Sequence, residues 1–253
     1  MKNFIYLLLL LASSIIYSQD IDLSITKNSF KTNITSALLR NYSLQYERSL
    51  SKRFSLAVQY RFMPNGDIPL KNSIENYIET EDADDDEVLN FLKKSQIKGY
   101  SITPEVRWYL GKGYGKGFYI APYYRYAQFN LESIPINFTL DSGTEEEAIA
   151  KIETKSHSYG LLLGVQWKIK NKFTIDWYIL GAHTGNLNGD LNATASRNLT
   201  ATEQQDLQQA IDDFQIDFLD FELKHSVKNN GVLTTFTGNN IGLRSGISIG
   251  YSF

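Results

Sequence analysis

Ile241-Gly242-Leu243-Arg244-Ser245-Gly246-Ile247-Ser248-Ile249-Gly250-Tyr251-Ser252-Phe253 is the stretch that decides the fold. Ile241, Leu243, Ile247, Ile249, Tyr251 and Phe253 hold every second position but one, where Ser245 intervenes. Gly242, Arg244, Gly246, Ser248, Gly250 and Ser252 fill the places between. A β-strand turns successive side chains to opposite faces, so one face is apolar and aromatic and the other small or polar. In a soluble sheet the apolar face meets a core. Where such strands recur behind an export signal, the pattern instead predicts an apolar face turned to lipid and a polar face turned inward.

The signal is at the other end. Residues 1–18 combine Lys2, a mostly apolar run from Phe4 to Tyr17 and the small Ser18, the pattern of a secretion signal cut ahead of Gln19. The run is short for a membrane-spanning helix, which needs about 20 residues. No cysteine occurs, so neither a lipid anchor on Cys nor a disulfide framework is expected. Residues 19–253 are expected to form one domain, because barrels of this size are commonly undivided. Sixteen Tyr and fourteen Phe suit a strand-rich chain with aromatic belts.

Alternation repeats along the chain. Strands are expected over about 29–39, 41–50, 54–63, 99–110, 118–126, 157–169 and 173–184, with 241–253 as the eighth. In the first, Phe30, Thr32, Ile34, Ser36 and Leu38 face out, and Lys31, Asn33 and Thr35 face in. Pro64-Asn65-Gly66 is expected to end the third strand, and Pro104 to cause a bulge or a break in pairing in the fourth. The connections at 40–41, 51–53, 111–117 and 170–172 are short; those at 64–98, 131–156 and 185–239 are long. The long ones hold 23 of the 28 acidic residues, whereas the short turns carry Arg48, Lys52, Arg53, Lys112, Lys116, Lys170 and Lys172. Two helices are expected in the long connections. One runs Asp84–Lys94. The other spans 200–223, starts at the capping box Thr200-Ala201-Thr202-Glu203 and carries an apolar stripe of Leu207, Ile211, Phe214, Phe218 and Phe221. That stripe is the candidate surface for a protein partner, and capping the barrel's own mouth is its plainer use.

These features predict an all-β fold: an eight-stranded antiparallel transmembrane up-and-down β-barrel with long extracellular loops and a loop helix. Eight strands leave an interior just wide enough for side chains. Lys31, Glu47, Arg61, Glu105, Arg107, Arg125, Lys168, Asp176 and Arg244 face inward and are expected to pack as an ion-pair network, with Gly242, Gly246 and Gly250 making room for them.

A final strand with Tyr251 two places before a C-terminal Phe253 resembles the signal read by the outer-membrane barrel assembly machinery. The strand and turn pattern over residues 29–253 resembles small outer-membrane barrels of the OmpA/OmpX type and the outer-membrane barrel proteins of Bacteroidota. The resemblance implies a Gram-negative outer-membrane location, contact with outer-membrane lipid and no fixed activity, since such barrels include anchors, adhesins, resistance proteins and a few lipid-modifying enzymes.

The chemistry-bearing residues are few. His183-Thr184-Gly185-Asn186 resembles the His-x-Ser-Asn run of lipid A deacylases, with Gly185 where the nucleophile belongs. His157 and His183 fall on outward phases, and His157 and Ser158 point to opposite sides. The run from Asp82 has Glu87 and Lys93 where a calcium loop needs Gly and Glu. The expectation is therefore a non-enzymatic protein without metal or cofactor, acting through its surface loops or within an envelope complex. A lipid-modifying enzyme and a small passive pore are the alternatives. Acidic loops do not suit nucleic acid.

Overall fold

The computed structural model describes residues 26–80, 86–139, 145–212 and 222–253; the expected signal segment 1–18 lies outside them. Nine strands form one antiparallel sheet: β1 (Asn28–Asn33), β2 (Tyr42–Ser49), β3 (Phe54–Asp67), β4 (Gln96–Tyr109), β5 (Gly117–Thr139), β6 (Glu145–Ile169), β7 (Phe173–Ala195), β8 (Glu222–Lys228) and β9 (Gly231–Ser252). The order is β1-β2-β3-β4-β5-β6-β7-β9-β8, and β1 pairs β9, so eight strands close into a ring and β8 lies outside it. The closing register runs from Ser29↔Ser252 to Asn33↔Ser248, the antiparallel pairing of first and last strands that closing an eight-stranded barrel requires. Phe253 completes that ladder, donating from its N–H to Asn28 O and accepting from Asn28 N, both at 2.9 Å.

The outside of the ring is apolar over a band. On β3, Phe54, Leu56, Val58, Tyr60 and Phe62 are all exposed. That span covers about 26 Å along the strand, or about 20 Å of height at the usual tilt. Aromatic rings pair at both margins: Phe54 with Trp108, Phe30 with Phe253 and Phe173 with Tyr251 near the short turns, and Tyr42 with Phe62, Tyr60 with Tyr100 and Tyr124 with Tyr159 at the other.

Several expectations are corrected. The first strand stops at Asn33, whose side chain accepts from Ser36 N at 2.7 Å and caps a helical turn, α1 (Ile34–Ala37). Ile34, Thr35, Ser36 and Leu38 are thus not strand positions. Because β1 is short, outward Ile241 and Leu243 (80% and 76% exposed) have no strand beside them on that side among the described residues. Pro64 does not end β3. The strand continues to Asp67 through a register irregularity between Met63 and Gly66, with the Arg40 guanidinium donating to the carbonyls of Pro64, Asn65 and Asp67. Pro104 breaks pairing without a bulge. It still pairs Val58 on β3, while Pro122 still pairs Leu161 on β6. Both missing N–H groups therefore fall on the shared β4–β5 ladder, which skips the prolines yet keeps its register from Ile102↔Tyr126 to Trp108↔Ile120.

The connections 131–156 and 185–239 are largely strand, not loop. β5, β6, β7 and β9 run 22 to 25 residues and extend past the apolar band as a wall. Past the band the apolar outward face is not sustained. There the ladder carries charges instead, with Lys98–Glu132 at 2.7 Å and Lys151–Glu153 at 2.6 Å across and along it. In the 64–98 connection, α2 (Lys71–Thr80) precedes α3 (Asp86–Lys94); only the second was expected.

The helix expected over 200–223 is shorter. α4 spans Ala201–Asp212, and the chain is strand again from Glu222. Leu207 and Ile211 belong to α4, whereas Phe214, Phe218 and Phe221 lie outside the described residues. The capping box forms: Glu203 Oε2 accepts from Thr200 N at 2.7 Å, and Thr200 Oγ1 accepts from Glu203 N at 3.4 Å. The Arg197 guanidinium and these Thr200 bonds hold the Glu203 carboxyl down to about 2 from its ordinary 4.5. A lowered carboxyl stabilises the folded cap fully above pH 4.5 and loses that effect as pH falls toward 2. Amide exchange in α4 is accordingly expected to quicken over that window. Thr200→Ala is expected to quicken it at neutral pH as well, by a local loss of about 1 kcal/mol.

Candidate functional site

The inward face of the ring is a layered set of buried polar groups, each brought there by strand alternation. Lys31 of β1 donates to Glu47 Oε2 at 2.5 Å, to Asp176 Oδ2 at 2.6 Å and to Gln166 Oε1 at 2.7 Å. Arg107 of β4 meets the same two carboxylates, at 3.2 Å from Glu47 and 2.6 Å from Asp176. The remaining lone pairs are also used. Glu47 Oε1 accepts from Ser55 at 2.6 Å and Tyr109 OH at 2.7 Å, and Asp176 Oδ1 accepts from Tyr119 OH at 2.8 Å. Burying charge is costly unless it is paired and hydrogen-bonded. Two cations and two anions cancel here, with every carboxylate oxygen bonded.

Next along the interior toward the long connections, Glu105 bridges two guanidiniums. Its Oε2 accepts from Arg107 Nε at 3.0 Å and Nη2 at 2.8 Å, and its Oε1 lies 2.6 Å from Arg244 Nη2. Tyr178 stands between them, with Arg107 Cζ 5.5 Å and Arg244 Cζ 5.1 Å from its ring centroid. Its OH donates to Gln45 Oε1 at 2.7 Å. Tyr109, Tyr119, Ala121, Tyr123, Leu162 and Tyr178 form the apolar part of the same interior. Glycine makes room for these rings: a Cβ on Gly164 would sit 2.8 Å from Tyr119 Cε1 and closer still to its Cζ and hydroxyl.

The expected network is therefore built from Lys31, Glu47, Glu105, Arg107, Asp176 and Arg244. Arg61 and Arg125 are not in it. Glu47, Glu105 and Asp176 are already matched by Lys31, Arg107 and Arg244, leaving no inward carboxylate for them among the described residues. Arg61 donates only to Gln59, at 3.1 Å from Nε. Lys168 reaches the short-turn end, donating to Thr26 O at 3.0 Å. Gly242 lies under the His183 ring, Gly246 beside Asn33 and Thr35, and Gly250 against Phe30 and Lys31. The hydrogen-bonding roles of Tyr109, Tyr119, Tyr178 and Gln166 were not foreseen; an inward tyrosine beside an inward acid was the available sign.

His183 faces inward, not outward. Register shifts between Tyr178 and Gly181 on the β9 side, and between Leu163 and Gly164 on the β6 side, move β7 by one residue. The imidazole Nδ1 then meets Tyr123 OH at 3.0 Å. His157 stays outward, 2.6 Å from Tyr124 OH, while Ser158 is buried and accepts from Asn240 at 2.7 Å. Among the described residues no three His, Asp or Glu side chains are grouped to hold a metal ion, and no helix is long and apolar enough to cross a membrane.

A family model described as "Protein of unknown function (DUF3575)" matches residues 4–183, well over half of the chain. No curated protein matches the sequence. Among solved structures, the translocator domain of the autotransporter NalP from Neisseria meningitidis shows a loose likeness. Its identity is 9% and its TM-score 0.33, over 96% of this chain and 92% of that one.

Proposed function

We propose that this chain, which belongs to the DUF3575 family, is a non-enzymatic outer-membrane β-barrel. It holds the wall of β5, β6, β7, β8 and β9 outside the cell as a contact surface or as its part of an envelope complex. The inverted polarity of the ring carries the reading. Phe, Leu, Val, Ile, Trp and Tyr side chains are exposed around the outside, while Lys31, Glu47, Glu105, Arg107, Asp176 and Arg244 are buried within. Water would reward the opposite arrangement; lipid rewards this one. The β1–β9 pairing also keeps the seam from being an open backbone edge over Ser29–Asn33 and Ser248–Ser252.

Charge supports the orientation. The short turns are basic and the long connections acidic, and beyond the apolar band the outward phase of β6 carries Lys151, Glu153 and Lys155. With β1 and the end of β9 at the short-turn margin, that margin faces the periplasm. The contact surface is then the strand wall together with α4, the described part of the expected helix. Outer-membrane lipid and the assembly machinery are the partners this implies, the second through Tyr251 and Phe253.

Fractionation of expressing cells tests the reading. The chain is expected in the outer membrane, with faster gel mobility unboiled than boiled. Protease added to intact cells is expected to cut only in 64–98, 131–156 or 185–239. Recovery in the soluble periplasm, or cuts confined to the short turns, would overturn it. Unchanged lipid A mass spectra on expression are expected for a barrel without enzymatic activity.

A further inference from the structure

The interior carries more cations than it pairs. Among the described residues, Lys31, Arg61, Arg107, Arg125, Lys168 and Arg244 face Glu47, Glu105 and Asp176, and these three are consumed by Lys31, Arg107 and Arg244. Lys168 lies at the short-turn end. The excess is therefore Arg61 and Arg125, on the long-connection side of the buried network.

The arginines on that side converge. Arg61 Nε and Arg244 Nη2 both donate to Gln59 Oε1, at 3.1 Å and 2.9 Å, so two guanidiniums share one amide oxygen. Arg244 Cζ lies 5.1 Å from the Tyr123 ring centroid, and Arg125 is the next inward residue on β5 after Tyr123. The register between Ile102↔Tyr126 and Glu105↔Tyr123 sets Arg125 across from Thr103. Like charges this close repel unless something negative lies between them.

Several donors in the same place have no protein acceptor. They are Nε and Nη1 of Arg244, Nη2 of Arg61 and Nε2 of Gln59, together with the hydroxyls of Ser101 and Thr103. Arg244 is 4% exposed, and Gln59, Ser101 and Thr103 are 1% exposed. Buried donors normally find partners, and guanidinium forks match the oxygens of phosphate groups. Below the cluster the way is closed by Arg107, Tyr109, Tyr119 and Tyr178, all at most 1% exposed. Arg61 and Arg125 are partly exposed, so access is from the long-connection mouth.

We infer that Arg61, Arg125 and Arg244, with Gln59, Ser101 and Thr103, form an oxyanion site in the mouth of the ring that takes a phosphate group. The phosphate is either inorganic or the headgroup of a lipid reaching in at the rim. The site depends on the interior of the ring and not on where the ring resides, so it stands or falls separately from the proposed location.

The test uses the full chain folded in a non-ionic detergent, titrated calorimetrically with inorganic phosphate against chloride at equal ionic strength. Saturable binding near one per chain is expected, weakened about tenfold or more by Arg125→Gln, which breaks no ion pair. Arg61→Gln gives the same reading if the first variant folds poorly, and Lys112→Gln at the opposite end is expected to bind as wild type. Native mass spectrometry of protein extracted from membranes separates the sources. A lipid kept by wild type and lost by Arg125→Gln identifies a headgroup; phosphate binding with no retained lipid identifies the free ion. Wild type that binds no phosphate and retains no lipid would overturn the site and leave water on those donors. So would phosphate binding left unchanged by both arginine variants.

Discussion

Arg107→Ala is expected to destabilise the folded form of this protein severely. The guanidinium ties three carboxylates from three strands, at 3.2 Å to Glu47, 2.8 Å to Glu105 and 2.6 Å to Asp176, with no exposure to solvent. Its loss leaves Lys31 alone against Glu47 and Asp176, a buried net negative charge. Removing one partner of a buried pair costs about 3–5 kcal/mol, a large share of a typical domain's stability. It also opens a void beside Tyr119, whose ring centroid lies 4.5 Å from Arg107 Cζ. Urea unfolding in vesicles, followed by the boiled-versus-unboiled gel shift, measures the loss. Asp176→Asn made together with Arg107→Ala restores neutrality, so the pair is expected to cost less than the sum of the single changes, by about 0.5–3 kcal/mol.

The second large effect is expected at the seam. Gly250→Val should prevent the ring from closing. Gly250 pairs Lys31, and a Cβ there would overlap Phe30 O, while lying 2.5 Å from Lys31 Cγ and 2.9 Å from Lys31 Cα. Two of these are backbone atoms, which cannot rotate away. β1 has only six residues to hold β9, so no longer ladder absorbs the shift. Displacing Lys31 also pulls it from Glu47 and Asp176. Opening the ring exposes backbone edges on β1 and β9, and in the proposed lipid setting each unsatisfied group costs several kcal/mol. The expected result is a chain that reaches the membrane fraction but runs at the same position boiled and unboiled. Gly250→Ser is expected to fail as well, since the clash begins at Cβ. Ser248→Ala, on the same inward face but against Asn33, should close normally.

The parts of the fold legible in the sequence were those where one face is apolar and the other polar. Tyr42, Leu44 and Tyr46 against Phe62, Tyr60 and Val58 form an unbroken alternation, and the ladder follows it pair for pair. The β1–β9 closure was legible for the same reason, because only one phase sets Lys31 beside a glycine. Past the apolar band that signal ends. In Lys151-Ile152-Glu153-Thr154-Lys155 the charged residues take the outward phase and Ile152 and Thr154 the inward one, the reverse of the band's polarity, so a search for outward apolar residues passes the strand over. The inward turn of His183 was hidden by the register shift ahead of Gly181. Its one trace is Ile179-Leu180, two apolar neighbours where alternation called for one. Within the interior, side-chain direction was legible but pairing was not. Three inward acids cannot neutralise six inward cations, so a count alone leaves three over, without saying that these are Arg61, Arg125 and Lys168.

The central claim is that the outside of this ring meets lipid, and the three tryptophans test it without any substitution. Trp108, Trp167 and Trp177 are the chain's whole complement and all point outward, at 42%, 45% and 44% exposure. The measurement is tryptophan emission from the full chain folded into vesicles whose acyl chains carry bromine, against vesicles of the unbrominated lipid. Blue-shifted emission that loses most of its intensity in the brominated vesicles is the predicted result. Red-shifted emission, unaffected by bromine while circular dichroism shows an intact sheet, would contradict it.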